Sequence, residues 1–225
     1  MPWAMIKAGV YKNTIMSQFF KEEFAGLIRF LKNFATETIV ILSAALFVCL
    51  DRYHVILNGD ISTFLLYAIF PILVILIVLR KNPLNFGLGL GNFKLWWKYV
   101  AVACVISAVV LYAASFAPSL QKYYKQEHFN FLNYFLVNCA SLLAIEYMYR
   151  GFILFGLKEK FKEGAILIQT IPFVLLHLGK PELETISCLF TGVLFGYIAY
   201  RGKSFWPVFI IHLFINIYFV TLINR

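Results

Sequence analysis

Carboxylates are scarce in this chain. Aspartate and glutamate supply eleven of 225 residues, and all charged types together only 14%. A water-soluble domain averages about 25% charged and 45–50% apolar residues. Here the apolar share is 61% and the mean hydropathy is +0.79. This shortage of charge excludes an ordinary soluble globule and a disordered segment, neither of which can hide so much apolar surface. Cysteine is also sparse. Cys49, Cys104, Cys139 and Cys188 all fall in apolar runs and none has CxxC spacing, which excludes a zinc knuckle or a disulfide framework and leaves small buried hydrophobes. No cleavable leader is expected, because residues 1–33 mix charges with apolar side chains and lack a clean apolar core.

What is present is length without charge. Several runs reach the ~20 apolar residues needed to cross a bilayer. The expected fold is all-α: a polytopic transmembrane helix bundle of about seven spans, near 37–57, 61–79, 97–117, 130–157, 164–178, 183–200 and 204–223. The chain reads as one domain, 1–225, with an interfacial segment over 1–36 and a motif-bearing core over 130–223. In the first of these, Phe19, Phe20, Phe24, Leu27, Ile28 and Leu31 recur at helical spacing among Lys21, Glu22, Glu23, Arg29 and Lys32, the pattern of an amphipathic helix lying on a membrane or docked on the bundle.

The net charge of +9 is then a matter of topology, and no nucleic-acid partner is expected. Lysine and arginine favour cytoplasmic connections. Fourteen of them fall in the N-terminal segment and alternate connections (80–98, 158–162, 201–203), against five in the others. An odd number of spans with the N-terminus in the cytoplasm and the C-terminus outside fits that asymmetry. Compact length and the lack of a targeting segment point to a prokaryotic plasma membrane. The run Gly87-Leu88-Gly89-Leu90-Gly91 has no P-loop lysine and no strand before it, so it reads as a flexible turn. Gly192 and Gly196, four apart in the sixth span, suit close helix packing.

Polar groups at membrane depth are the informative exceptions. Glu146 and Arg150 stand at i and i+4 on one helical face, where they can pair and share the roughly 2.5–3.5 kcal/mol that an ionisable group costs in hydrocarbon. A structural ion pair between helices is the simpler alternative. His177 lies in the fifth span; His212 and Asn216 share a face of the seventh. At 1.5 Å per residue, Glu146 and His177 both sit roughly 22–24 Å from the turn between their spans, and His212 and Asn216 roughly 15–21 Å from the next cytoplasmic turn. All can meet at one depth. Of the eleven carboxylates only Glu146 lies deep in a span. A Glu, two His and an Asn suit hydrolysis: carboxylate and imidazole can activate water, while the other His and the Asn amide donate to an oxyanion. No cofactor is expected; zinc on His177, His212 and Glu146 is a weaker alternative, since HExxH is absent. A transporter would favour an ion site and a repeat, and neither is visible.

These residues resemble the CPBP (Abi, CAAX-type) family of intramembrane proteases. That family carries EExxxR followed by Gly, then FxxxH, then HxxxN or HxxxD on successive membrane helices. Glu146–Arg150 with Gly151, Phe173–His177 and His212–Asn216 match in order and spacing, over about 131–222. The first Glu of EExxxR is Ile145 here. The resemblance implies an intramembrane endopeptidase acting on prenylated, lipid-anchored or membrane-embedded C-termini, with membrane lipids as further partners. Glu146, with His177, would activate water; His212 and Asn216 would stabilise the oxyanion; Arg150 would position Glu146. The alternative that the resemblance allows is a catalytically impaired relative serving as a binding or immunity protein.

Overall fold

Asparagine starts four of the helical segments. In each case the side-chain oxygen accepts a hydrogen bond from a first-turn backbone N–H, which helix geometry leaves without a partner: Asn58 from Ile61 N (2.9 Å), Asn82 from Leu84 N (2.9 Å), Asn92 from Leu95 N (3.2 Å) and Asn130 from Asn133 N (3.0 Å). In a chain with so few charges, these amides mark where apolar helices leave the membrane core. The fold is a computed structural model that describes the backbone of residues 3–225 and the side chains of residues 16 and 18–225.

The elements are helical throughout the described residues: α1 (Trp3–Asn33), α2 (Ala35–Tyr53), α3 (Gly59–Val78), a 3-10 turn at Pro83–Phe86, α4 (Phe93–Ala114), α5 (Pro118–Tyr124), α6 (Phe131–Phe161), α7 (Gly164–Leu176), α8 (Glu182–Gly202) and α9 (Trp206–Ile223). They form two compact units, Met1–Ile39 and Val40–Arg225. In the first, Phe20, Phe24, Leu27, Ile28 and Leu31 form one apolar stripe, all of it exposed. Lys7 and Lys12 of the charge count lie outside the described side chains.

Among the described residues, five helices are long and apolar enough to cross a membrane: α3, α4, α6, α8 and α9. There is a sixth if Gln18–Asn33 with Ala35–Tyr53 counts as one broken span. The expected count of about seven is therefore not reached. Every expected span has its helix, but α7 has only 13 residues, about 20 Å of rise against a ~30 Å hydrocarbon core. Its C-terminal carbonyls are accordingly capped by side chains of other helices. Arg52 Nη2 donates to Leu176 O (3.2 Å) and Thr185 Oγ1 to His177 O (2.9 Å), partners that lipid does not supply. Arg52, which interrupts the first expected span, is thus the cap of another helix.

The second unit has connections at two ends. At one, Asn224 Nδ2 donates to Tyr124 O (3.0 Å), Lys125 Nζ to Ile223 O (3.0 Å), and Tyr124 Oη to Glu184 Oε2 (2.6 Å). Burial and then the adjacent Glu184 carboxylate push the Tyr124 hydroxyl far above its ordinary pKa, so it stays a donor. At the other end, Tyr200 Oη donates to Glu163 Oε1 (3.3 Å) and Lys158 Nζ sits 4.4 Å from the Tyr200 ring centroid.

The glycine run 87–91 lies at that second end, and it is not a flexible turn. Its carbonyls are stitched to the turn that begins α9. Ser204 Oγ donates to Gly89 O (2.7 Å), Trp206 Nε1 to Leu88 O (2.9 Å) and Phe205 N to Gly87 O (3.2 Å), while Asn92 N donates to Gly202 O (2.7 Å). Gly87 and Gly91 have φ of 83° and 58°, the left-handed region that glycine enters without cost. A Cβ on Gly91 would collide with Gly202 O. Composition alone suggests flexibility; close backbone approach is the reason these residues are glycine.

Gly192 and Gly196 do serve packing. Side chains of α7 fill the space their missing Cβ atoms leave, with Thr170 Cγ2 2.7 Å and Gln169 Nε2 2.5 Å from the Cβ positions. Gln169 Nε2 also donates to Gly192 O (3.0 Å), tying α7 to α8.

Gly91→Ala should lower the thermal unfolding midpoint of the detergent-solubilised protein, since it adds left-handed strain of about 1–2 kcal/mol and a backbone clash. Gly164→Ala, where the nearest atom is 3.8 Å away, should leave it within about 0.5 kcal/mol. Equal midpoints would refute the staple.

Candidate functional site

The site begins with a change of helix type. After Glu146, α6 widens from α to π geometry over Tyr147–Ile153 and then resumes as α over Leu154–Phe161. Gly151 permits it: a Cβ there would lie 2.5 Å from the Tyr147 ring and 3.0 Å from Phe86 O. Such π segments insert a residue into the helical count and re-aim side chains. Ile145 stays half-buried against the apolar core, while Glu146, about 100° further round, is wholly buried and faces α9.

There Glu146 meets its two partners. Arg150 Nη1 lies 3.2 Å from Oε1 and 3.1 Å from Oε2, and His212 Nδ1 lies 2.6 Å from Oε1. The contact to Oε2 lies off the hydrogen-bond direction, so Oε2 carries charge contact without a hydrogen bond. Glu146 and Arg150 expose none of their side-chain surface, whereas His212 retains 11%. Only the histidine of this trio reaches accessible space.

Phe173 is the hub around which the rest assemble. The Arg150 guanidinium carbon lies 3.7 Å from its ring centroid, a cation–π contact, and the His177, Tyr149 and His212 rings lie edge-on at 4.7, 5.8 and 6.2 Å. Phe195 of α8 closes the other side, 5.8 Å from His212. His177 joins the group through this ring rather than by a hydrogen bond to Glu146. It caps α7 at φ −88°, ψ 0°, the bridge conformation where many active-site residues sit, and its Nδ1 lies 2.9 Å from Phe173 O.

These contacts fix the proton positions. A carbonyl only accepts, so His177 Nδ1 must donate, and the same holds for His212 Nδ1 against the Glu146 carboxylate. In the neutral state both histidines then present Nε2 as a lone pair. That argues against His212 as the neutral donor to an oxyanion. Asn216, one turn beyond on α9, gives one N–H to His212 O (3.3 Å) and is half-buried; its other N–H is not used in that bond. So the structure joins Glu146, Arg150 and His212 directly, His177 through Phe173, and Asn216 only to its own helix.

Glu184 is held at the end of the unit by other partners. Its oxygens accept from Tyr124 and from Lys180 Nζ (2.8 Å), and Glu182 is exposed. Among the described residues, no three His, Cys, Asp or Glu side chains are placed to hold a metal ion; His177, His212 and Glu146 do not converge as ligands. Sequence reasoning missed Tyr149, whose ring packs on Phe173 and whose buried hydroxyl, like Arg150 Nε and Nη2, makes no hydrogen bond. Nothing in residue type separates it from ordinary aromatic core.

The family model described as type II CAAX prenyl endopeptidase Rce1-like matches residues 126–218. Those residues include Glu146, Arg150, His177, His212 and Asn216. Over this stretch the chain is similar to that family. The matched segment runs from the loop before α6 into α9, so it covers the polar centre whole. No curated protein and no solved structure matches the chain.

Arg150→Met alone leaves a carboxylate charged and unpaired in the interior and should cost about 3–5 kcal/mol of stability. Adding Glu146→Gln should recover most of it. Denaturant unfolding of both variants checks this, and an equally unstable double variant would show that the two charges do not couple. Phe173→Leu should cost about 2 kcal/mol beyond its packing loss by removing the cation–π contact.

Proposed function

We propose that this integral membrane protein is an endopeptidase that hydrolyses a peptide bond near the C-terminus of a lipidated or membrane-embedded protein. The observation that carries the reading is the joining of Glu146, Arg150 and His212, with His177 one aromatic ring away, inside a bundle and within the family-matched stretch. A charged trio at this depth is otherwise an expense without return.

The chemistry follows from what each group can do. The Glu146–His212 contact and the free Nε2 of His177 supply basic atoms for activating water. Arg150 holds the Glu146 carboxylate in place. Asn216 has an amide N–H to offer a developing oxyanion. A lipid anchor or a membrane-spanning tail would bring the scissile bond to the depth of this centre. The N-terminus would face the cytoplasm, the C-terminus the outside, and the membrane would be a prokaryotic plasma membrane.

Ile145 favours one second reading. It puts an apolar side chain where the family's motif has its first Glu, so a protein that binds such C-termini without cutting them is the alternative.

Purified protein in liposomes, given farnesylated and membrane-tailed peptides, should cleave at least one class. His177→Ala and Asn216→Ala should each lower the rate by about 10²-fold or more. Tight peptide binding with no cleavage by the wild type would replace the protease reading with the binding one.

A further inference from the structure

We infer that His212, oriented by Glu146, is the general base of this chain, and that Glu146 is a positioning residue rather than the group that touches water. This rests on the protease reading above. It departs from the sequence expectation, in which Glu146 activates water and His212 donates to the oxyanion.

Three observations carry it. First, position 145 is an isoleucine packed against apolar core, so no carboxylate stands next to Glu146 to serve as base. Second, Glu146 has no exposed surface, and its charge is already engaged by Arg150 and His212. Its Oε2, which makes no hydrogen bond, is sealed from solvent, so water does not reach it. Third, the 2.6 Å contact between Glu146 Oε1 and His212 Nδ1 puts the imidazole proton on Nδ1, which leaves Nε2 with a lone pair on the one member of the trio that keeps accessible surface. Carboxylate, imidazole and then substrate is the order in which a buried acid holds the tautomer of a histidine base. Phe173 and Phe195 on either side of His212 fix the plane of its ring. The π segment completes the geometry, because Arg150 reaches back to Glu146 within it.

The step balances without a co-reactant. Nε2 takes a proton from water as the water oxygen bonds to the scissile carbonyl carbon. The imidazolium, its charge facing Glu146, then returns that proton to the leaving nitrogen as the carbon–nitrogen bond breaks, giving a carboxylate-ended peptide and an amine.

The test pairs a rate with a tautomer. Full-length protein carrying ¹⁵N-histidine is placed in lipid nanodiscs. It has four histidines, and the His54→Gln and His128→Gln variants assign the two outside the site. The cleavage probe is a quenched farnesylated peptide or a membrane-spanning tail peptide, whichever the wild type cuts. His212 should show a protonated Nδ1 and an unprotonated Nε2 in the wild type. In Glu146→Gln/Arg150→Met, which removes both charges together, the Nε2–H tautomer should rise. The turnover number should fall by about 10⁴-fold with KM within about twofold. His212→Gln, which keeps an amide donor, should fall by at least 10³-fold. If the wild type cleaves but His212→Gln keeps a tenth of its rate, or if the double variant loses turnover without a change of tautomer, the base assignment is overturned and the protease reading stands. Inert wild type beside an active Ile145→Glu variant would overturn the base assignment too, because a carboxylate at 145 would then be required. Should both leave every peptide intact, the protease reading falls with it.

Discussion

A carboxylate and a guanidinium, both sealed from solvent in a bundle surrounded by hydrocarbon, constrain everything near them. Neither charge can be left alone there, since breaking a buried pair by removing one partner costs about 3–5 kcal/mol. So Glu146 and Arg150 bring helices with them: His212 from α9 completes the carboxylate, and the faces of Phe173 from α7 and Phe195 from α8 receive the guanidinium. The apolar surroundings strengthen each of these contacts, because water does not compete for them.

The rest of the second unit holds those helices in register. Glycine does this in two ways. At 87–91 it lets one loop lie against the backbone of the turn before α9, and at 151, 192 and 196 it lets neighbouring side chains pass where a Cβ would stand. Gly87 belongs to both arrangements, since a Cβ there would press on the Phe155 ring and approach Gly151 Cα. The loop, the π segment and the start of α9 therefore form one packed corner beneath the polar centre. Arg52 and Thr185 close the end of the short helix that carries His177. Polar residues that look like interruptions of apolar spans are, in the fold, satisfied ends of other helices.

The helical class, the apolar spans and the polar residues of the candidate site were legible because each follows from a local cost. A run of apolar residues must bury itself or face lipid, and Glu146, His177 and His212 stand out because lipid penalises them. Depth could be counted along the chain, since a helix advances by a fixed rise, and the contact of Glu146 with His212 agrees with that count. What did not follow was orientation. Ile145 and Glu146 are neighbours in the motif, yet one faces apolar core and the other the polar centre. Tyr149 beside the site carried no signal, because buried aromatics are common throughout this core.

The sequence by itself determined an all-helical membrane bundle, a family resemblance and the handful of polar groups that had to meet. It did so because hydrocarbon makes each charged residue costly and each span a fixed length. Only the tertiary structure decided which nitrogen of His212 meets which oxygen of Glu146, that Phe173 gathers Arg150 and both histidines, that Asn216 turns back to its own helix, and that the glycine run is a rigid staple. Those outcomes depend on ring planes, on the π turn after Glu146 and on backbone approaches between distant segments, none of which is a property of residue type or spacing.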